Sequence, residues 1–419
     1  MSIALFTAVS GLNNFQGMLD VVADNISNMN TTGFKASRVN FQSLMSETHL
    51  PATAPRGDMG GRNPIQTGLG STIGSIDRVF RQGALEQTGS NTDLAITGDG
   101  FFIVGDGSIN TYTRNGHFTV DTAGDLVDSQ GHYVQGWQAV DGVVDPDGQI
   151  GKVNIPLGEQ MIAKVTENVK MAGNLDASSG VYSAGPPATG GQYTTEMTVY
   201  DDIGGAYKVP VTFTRVTPGA GVAAAWDWTA DFGGSTVGSG TVAFDANGLY
   251  DPTNSTGTPV TLTPTNSANP FSVDLDFGGM TQFVTNGEYS VLPTSQDGFP
   301  AGTLLSFDID QQGVITGRFT NGQLRAIGQV GMAFFANPKG LQGSDGGRFL
   351  ESANSGVAQI GVPGSGPRGS LNPGSLEMSN VDLTGEFSKM ILAQRAFQAN
   401  SKVVTTMDEI LNEVNNLKR

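Results

Sequence analysis

The sequence contains no cysteine, which excludes disulfide bonds and thiolate metal sites. Histidine is rare, occurring only as His49, His117 and His132, and this argues against a histidine-rich metal centre. Charged residues make up only 15% of the chain, below the usual share of about a quarter. The net charge of −17 offers no basic face to a nucleic acid, so we expect no nucleic-acid partner.

Long hydrophobic runs are also missing. No segment approaches the ~18 consecutive apolar residues of a membrane-spanning helix. The chain carries no lysine or arginine before Lys35, whereas a cleaved secretory signal begins with a basic region. These features predict a protein that is either cytosolic or leaves the cell by a route that reads another kind of signal.

Motifs that carry chemistry are absent as well. The sequence has no Gly-x-Ser-x-Gly turn, no phosphate-binding glycine loop with a lysine, and no His-Glu-x-x-His motif. The run 145–149 faintly resembles a calcium loop but lacks its later ligands, so we interpret it as a turn. His117 and His132 stand beside aspartates that are typical of hairpin tips. We therefore predict no enzyme activity, no cofactor, no metal and no small-molecule substrate.

Glycine, in contrast, is abundant, with 59 residues among 419. From Ser71 onward apolar and polar residues alternate, and pairs such as Asn115-Gly116 and Asp141-Gly142 suit tight hairpin turns. In the middle section Trp226 and Trp228 share one face of a predicted strand, which favours a separate β-sandwich or barrel. The chain is too long for one hydrophobic core, so we expect several domains.

The two ends show a helical period instead. Apolar residues recur every seven positions, and a second row follows three positions later, which is typical of a coiled-coil seam. We call the following residues the predicted seam: Leu5, Leu12, Phe15, Leu19, Val22, Ile26, Leu383, Met390, Phe397, Val404, Met407, Leu411 and Val414. Other apolar residues, including Phe6, Val9, Ile391 and Leu392, lie off this seam, so we expect further helices to cover them. A helical hairpin within a compact domain would produce two apolar stripes too, and the pattern alone leaves that alternative open.

The predicted fold is mainly β with terminal α-helices, arranged as nested discontinuous domains. Segments rich in glycine, proline and serine separate the helices from the β-rich part and indicate linkers. The predicted divisions are a terminal helical coiled-coil domain (1–30 and 376–419), linker regions (31–70 and 355–375), a first β-domain (71–150 and 290–354) and a second, outer β-domain (151–289).

Three motifs, in order along the chain, resemble the bacterial flagellar axial proteins, and among them the hook proteins. They are ADNISNMNTTGFK at 23–35, LAITGDGFF at 94–102 and AQRAFQANS at 393–401. Rod proteins of the flagellum share these ends, but the additional middle domain and the segment QDGFPAG at 296–302 favour the hook. The three motifs are specific because they occur in this order, with the first and last at opposite ends of the chain.

This resemblance implies a structural subunit that self-assembles into a short curved helical tube, a universal joint between rod and filament. The helices would form the inner tube, with both β-domains outside it. The implied partners are further copies of the chain, the distal rod protein, the hook cap, the hook–filament junction proteins and the flagellar type III export apparatus. The protein would be extracellular, in the flagellum, after export without a cleaved signal peptide, and Phe41 and Met45 fit a short export signal. The alternatives are a distal rod or hook-associated subunit and a secreted adhesin-like binding module.

Overall fold

The computed structural model describes residues 3–57, 60–107, 109–158, 160–219, 221–264 and 268–417. Strands are the predominant secondary structure of the described chain, with one long helix near each end. The two helices pack against each other, which confirms the predicted fold class of a mainly β protein with terminal α-helices. Neither described helix carries an apolar stretch of the length that a bilayer crossing requires.

The helices are α1 (Ile3–Ser27) and α2 (Leu383–Leu417). The start of α2 is capped by Asp382, whose Oδ1 accepts a hydrogen bond from the Thr384 N–H at 3.1 Å. Glu386 lies in the first turn, where a negative charge favours the helix dipole. Gly33 follows α1 with a positive φ of 71°, a conformation that glycine adopts without strain.

The described residues form two compact units. The first unit comprises 1–157, 307–317 and 325–419, and the second comprises 158–306 and 318–324. The strands of the first unit are β1 (Ser37–Ser43), β2 (Ser46–Leu50), β3 (Ile65–Gly68), β4 (Ser71–Arg78), β5 (Leu85–Gln87), β6 (Leu94–Thr97), β7 (Phe101–Gly105), β8 (Asn110–Thr113), β9 (Thr119–Val120), β10 (Leu126–Val127), β11 (Tyr133–Gln138) and β12 (Gly151–Lys152).

The second unit contributes β13 (Gln160–Met161), β14 (Asn168–Asn174), β15 (Gln192–Tyr200), β16 (Ala206–Val216), β17 (Ala224–Phe232), β18 (Ser235–Phe244), β19 (Tyr250–Gly257), β20 (Val260–Leu262), β21 (Phe271–Thr281) and β22 (Leu292–Gln296). Three strands span a division between the units: β23 (Gly302–Ile309), β24 (Val314–Phe319) and β25 (Leu324–Val330). The first unit resumes with β26 (Met332–Phe334), β27 (Gln342–Gly343), β28 (Arg348–Leu350), β29 (Gln359–Gly361), β30 (Ser370–Pro373) and β31 (Ser375–Glu377), with 3₁₀ turns at Pro338–Gly340 and Asp345–Gly347.

Strands also occupy the segment after α1. β1 pairs antiparallel with β4, and β2 pairs antiparallel with β3. The segment 31–70, which we expected to be a linker, therefore contains the strands β1, β2 and β3. Every residue of β2 is exposed. A strand that buries neither face needs no apolar alternation, so a short run such as SETHL does not show the pattern of a half-buried strand.

An aromatic cluster forms part of the core of the first unit. Every residue of β7 is buried, and Phe101 packs edge-to-face on Phe335 and Phe349, with ring centroids 5.8 and 5.7 Å apart. β7 pairs with β8 on one side and with β11 on the other. The unit thus has a core of its own, separate from the helix pair.

The second unit is built from a five-stranded antiparallel sheet (β15 to β19) and a four-stranded sheet (β20, β21, β14, β22). One apolar cluster joins them, with Trp226 and Trp228 from the first sheet and Val169 and Phe277 from the second. Residues of β16 alternate between buried and less buried along its middle, as expected where two sheets face each other. The predicted sharing of one face by the two tryptophans is confirmed, since both are buried in this cluster.

Candidate assembly surface

Small and polar side chains form the contact between α1 and α2. A Cβ added to Gly11 would lie 2.8 Å from Nδ2 of Asn400, so the helices approach closely at that point. At the other end of α1, Asn25 Nδ2 donates a hydrogen bond to Glu386 Oε2 at 3.2 Å. Residue 25 of α1 thus contacts residue 386 of α2, and residue 11 contacts residue 400. Because the numbers fall along one helix and rise along the other, the helices are antiparallel. Ala393, midway between those two α2 residues, is fully buried.

The structure divides the predicted seam by exposure. One member, Val22, is buried. The partly buried members are Leu5, Leu12, Phe15, Leu19, Ile26, Leu383, Met390, Val404 and Met407, and the exposed members are Phe397, Leu411 and Val414. In α2 the buried contact residues Glu386 and Ala393 belong to the row three positions on from Leu383 and Met390. A role of the seam in assembly stays a prediction.

Large apolar side chains of both helices face solvent. Leu392 of α2 is 62% exposed, and Phe6 in the first turn of α1 is 53% exposed. We call the following the exposed helix residues: Ile3, Phe6, Val9, Phe387, Ile391, Leu392, Phe397, Val403, Ile410, Leu411, Val414 and Leu417. Apolar surface of this extent is unusual on a protein that acts as a monomer, and it indicates a surface for association.

α1 also contacts the paired strands β1 and β4. Asn25 binds the backbone of Ser37 in both directions: its Oδ1 accepts from the Ser37 N–H at 2.8 Å, and its Nδ2 donates to the Ser37 carbonyl at 2.8 Å. Buried Asn14 donates to Ser71 Oγ at 2.8 Å. These contacts fix α1 to the first unit through polar groups that apolar periodicity does not reveal.

The residues of the candidate export signal lie next to this hairpin. Phe41 belongs to β1, and its ring packs 6.0 Å from the ring of Phe15. Met45 lies between β1 and β2 and is 84% exposed. In the fold these two residues are parts of an exposed hairpin, and their role in export stays a prediction.

A buried group of charges joins both terminal segments to the β-strands of the first unit. We call Lys35, Arg114 and Glu377 the ionic trio. Lys35 Nζ lies 2.6 Å from Glu377 Oε1, and Arg114 Nη1 lies 3.4 Å from Glu377 Oε2. The side chains of Lys35 and Glu377 are fully buried, and that of Arg114 is 2% exposed. A single carboxylate thus balances two cations.

Burial is the main electrostatic influence on both cations. It lowers the pKa of Lys35 and of Arg114, because removal from water disfavours the charged forms, while the nearby Glu377 carboxylate opposes this effect. Sequence-based prediction included Lys35 only as the last residue of a motif and missed Arg114 and Glu377. The available signal was a lysine beside Gly33 in a motif near the end of α1, but nothing in the sequence pairs residues so far apart.

The titratable residues considered for chemistry have structural partners. His117 Nδ1 lies 2.8 Å from Asp93 Oδ1, and His132 Nε2 lies 2.5 Å from Arg348 Nη1. The run 145–149 is a turn, in which the Asp147 N–H donates to Asp145 Oδ1 at 3.1 Å. Across the described ranges, no group of three or more His, Cys, Asp or Glu side chains is arranged to hold a metal ion.

Four family models match the chain in order. Their descriptions are "Flagella basal body rod protein" (residues 5–35), "Flagellar hook protein FlgE/F/G D1 domain" (95–175), "Flagellar basal body protein FlaE D2 domain" (174–299) and "Flagellar basal body rod FlgEFG protein C-terminal" (372–417). The first and last matches fall on the helices and the segments next to them, and the middle two fall on the β-rich part. The three motifs that carried the resemblance lie within these matches, except for Leu94, which precedes the second match.

Full-length relatives agree with the family models. The chain is 38% identical to the flagellar hook protein FlgE of Treponema pallidum, and 36% identical to that of Borreliella burgdorferi, with 99% of both chains covered in each case. It is 29% identical to the basal-body rod protein FlgG of Bacillus subtilis, again over 99% of both chains. The fold resembles the crystal structure of the Helicobacter pylori flagellar hook protein FlgE2, with a TM-score of 0.52 and 14% identity over 70% of this chain and 99% of that one. The chain therefore belongs to the flagellar hook protein family, a structural family of the bacterial flagellum.

Proposed function

We propose that this chain is the subunit of the flagellar hook and self-assembles into a short curved tube between rod and filament. The observation that carries this proposal is the full-length match to hook proteins, which is stronger than the match to the rod protein. The same comparison favours the hook over the distal rod alternative. The adhesin-like alternative has no comparable support.

The exposed helix residues support self-assembly. Fully burying one large apolar side chain contributes about 1.5–3 kcal/mol, and each subunit presents several of them. Neighbouring copies can cover these side chains with helices of their own. Repeated head-to-tail contacts generate an open helical array when the rotation between copies does not close into a ring, and such an array suits a tube. In this arrangement the helices form the inner tube, and the predicted seam takes part in its contacts.

The β-rich part would lie outside that tube as two nested domains, 71–150 with 290–354 and, further out, 151–289. The division of the described chain into two units supports this arrangement. Rotation of a curved tube requires contacts that slide between neighbouring subunits. Surfaces with many glycines and few charges suit such contacts, because each contact has a low energy per area.

The remaining partners follow from the position of a hook. We propose contacts with the distal rod protein at one end of the tube, and with the hook cap and then the hook–filament junction proteins at the other. The match of residues 5–35 to a rod-protein model supports stacking on the rod through similar ends. The type III export apparatus would carry the unfolded chain to the cell exterior, with Phe41 and Met45 in the export signal.

Electron microscopy of the purified protein after polymerisation tests the proposal. A curved tube is the expected product. A straight tube would favour the distal rod alternative, and isolated particles under all assembly conditions would favour the adhesin-like module.

A further inference from the structure

The ionic trio lies where the helices connect to the rest of the first unit. Lys35 follows α1, Glu377 ends β31 shortly before α2, and Arg114 follows β8. Lys35 and Glu377 are separated by 342 residues in the chain, yet their charged atoms are 2.6 Å apart. Every covalent route from a helix into the β-strands therefore passes through a member of the trio.

We propose that Lys35, Arg114 and Glu377 are positioning residues of the assembly surface: one carboxylate holds the two segments that lead to α1 and α2 in fixed places on the first unit. The helices are then presented side by side, with a defined orientation, to neighbouring copies. The positioning role concerns the single chain, whereas its consequence for the polymer rests on the proposed hook function.

Backbone contacts around Glu377 support this role. Its backbone carbonyl accepts a hydrogen bond from the Gly33 N–H at 2.7 Å, and its Oε1 accepts one from the Gly83 N–H at 2.8 Å. Gly33 is also pressed against the strand region, because a Cβ at that position would lie 2.5 Å from the Asn115 backbone nitrogen. The segment after α1 is therefore clamped between Asn115 and Glu377.

A neutral bridge continues the same connection beside the trio. Asn380 Oδ1 accepts a hydrogen bond from the Ala36 N–H at 2.8 Å. Its Nδ2 donates to the carbonyls of Val79 and Arg81, at 2.7 and 2.8 Å. Arg81 also accepts from Lys35 Nζ at 3.1 Å, so the trio and Asn380 meet at one backbone carbonyl. Both chain segments are thus held on the connection between β4 and β5.

The ionic trio differs from apolar core contacts because its three side chains are charged. Without the Glu377 charge, Lys35 would lose the carboxylate that its ammonium contacts, and Arg114 would keep only the influence of Asp99. A buried charge without its partner is strongly unfavourable. Removal of the Lys35 charge as well would return the trio to its original net charge. The double variant Lys35→Met/Glu377→Gln should therefore be less damaged than Glu377→Gln alone, the reverse of what two independent losses would produce.

Limited proteolysis of the full-length monomer, with fragment masses, measures the boundaries of the folded part. In the unmodified chain we expect protection to extend from the first unit into α1 and α2, because the helices pack on each other and α1 is bonded to Ser37 and Ser71. Glu377→Gln should move both boundaries inward together, while β-sheet circular dichroism still reports a cooperative melt. The double variant should recover part of the protection. The matched control is Glu196→Gln, the same change at an exposed pair in which Lys208 lies 3.5 Å away, and it should leave both boundaries unchanged.

Several results would overturn the inference: unchanged boundaries in Glu377→Gln, movement of only one boundary, or a double variant as damaged as the single one. If Glu377→Gln does not fold, the double variant Lys35→Met/Glu377→Gln tests the proposal instead. It should still show the cooperative β-sheet melt. Polymer yield is a second measurement, expected to fall about tenfold or more in Glu377→Gln because buried cations are left unpaired. If the unmodified chain forms no tube, the hook function fails, whereas the proteolytic boundaries still test the trio.

Discussion

Gly11 of α1 lies so close to Asn400 of α2 that a Cβ on Gly11 would come within 2.8 Å of the Asn400 amide nitrogen. Glycine costs about 1 kcal/mol relative to alanine inside a helix, so its presence requires a compensating contact. The close approach of the two helices provides that contact. The helix pair therefore depends on a small residue at a position that a search for apolar stripes passes over.

Gly11→Val should separate the helices and reduce polymer formation. A branched side chain has no room beside Asn400, so either the helix spacing or the Asn400 conformation must change. We expect a cost of about 1–3 kcal/mol at the helix contact, as for other overpacked sites. The aromatic core around Phe101 is elsewhere in the first unit, so the β melt should be unchanged. Sedimentation measures polymer, and circular dichroism measures the melt.

The matched control for this variant is Ala399→Val, which adds the same branched side chain at an exposed position of α2. It should polymerise normally. Full polymer from Gly11→Val would show that the helix contact at Asn400 is not maintained in the assembly.

Phe397→Ala should impair assembly much more than it impairs the fold of the single chain. The Phe397 side chain is 36% exposed in the single chain, so its truncation there removes only part of its contacts. If neighbouring helices cover it in the tube, the loss is ~3–5 kcal/mol per subunit, as for a fully buried phenylalanine. Soluble monomer with an unchanged β melt is the expected outcome in sedimentation and thermal melting.

Lys402→Ala serves as the control for Phe397→Ala, since Lys402 is an exposed residue of the same helix. It should form normal polymer. A normal polymer from Phe397→Ala, or a large fall in its β melting temperature, would remove Phe397 from the assembly contacts.

Removal of most of the second unit should leave a tube that bends less. β14 pairs antiparallel with β22, so a deletion that ends at 289 would leave β22 without its partner. Deletion of 162–301 with a short glycine-serine linker removes both strands together and leaves β13 paired with β23, because Met161 lies opposite Gly302. We expect a straighter polymer by electron microscopy, because the outer sliding contacts are lost while the helices remain. Failure of the shortened chain to form any tube would show that the second unit is needed for assembly itself.

The second unit should lose stability in acid through Asp176. Burial raises the pKa of Asp176, but hydrogen bonds from Ser178 and from the backbone N–H groups of Thr285 and Gly287 outweigh it and hold the pKa well below the ordinary 3.8. A depressed carboxyl pKa stabilises the fold above the unfolded-state pKa, and this stabilisation is lost as the pH falls. Tryptophan fluorescence should therefore show the loss beginning below about pH 4.

Asp176→Asn should lower the stability of the second unit at neutral pH by about 1–3 kcal/mol, because an amide cannot satisfy all of these donors. Its stability should also depend less on pH between about 2 and 4, since the titrating group is gone. Glu288→Gln, at an exposed residue near the same loop, is the control and should behave like the unmodified chain. The same acid dependence in Asp176→Asn would assign the effect to other carboxylates.

The sequence predicted the helices and the β-rich middle because both depend on local periodicity. The paired tryptophans of β17 could likewise be assigned to one face from their spacing alone. β4 lies where the alternation from Ser71 predicted β-structure, but its partner β1 escaped prediction. Polar contacts, such as Asn14 with Ser71, help to hold this pair against α1. The row of α2 residues that contacts α1 was difficult to predict for a similar reason. Glu386 takes part in that contact through a hydrogen bond from Asn25, and not through an apolar side chain.

The ionic trio shows a different limit. Lys35, Arg114 and Glu377 are separated widely along the chain, and a single sequence carries no record of which charges meet. Motif resemblance pointed to the segment that ends at Lys35 without giving its physical task. The partners became identifiable only when the strands brought β8 and β31 near the end of α1.

The pairing of β14 with β22 places the entrance and the exit of the middle section beside each other, with Val169 opposite Gln296. An insertion whose two ends are neighbours can change in length without displacing the chain on either side. If the helices form the inner tube as proposed, related subunits can carry second units of different size without changing the diameter of that tube.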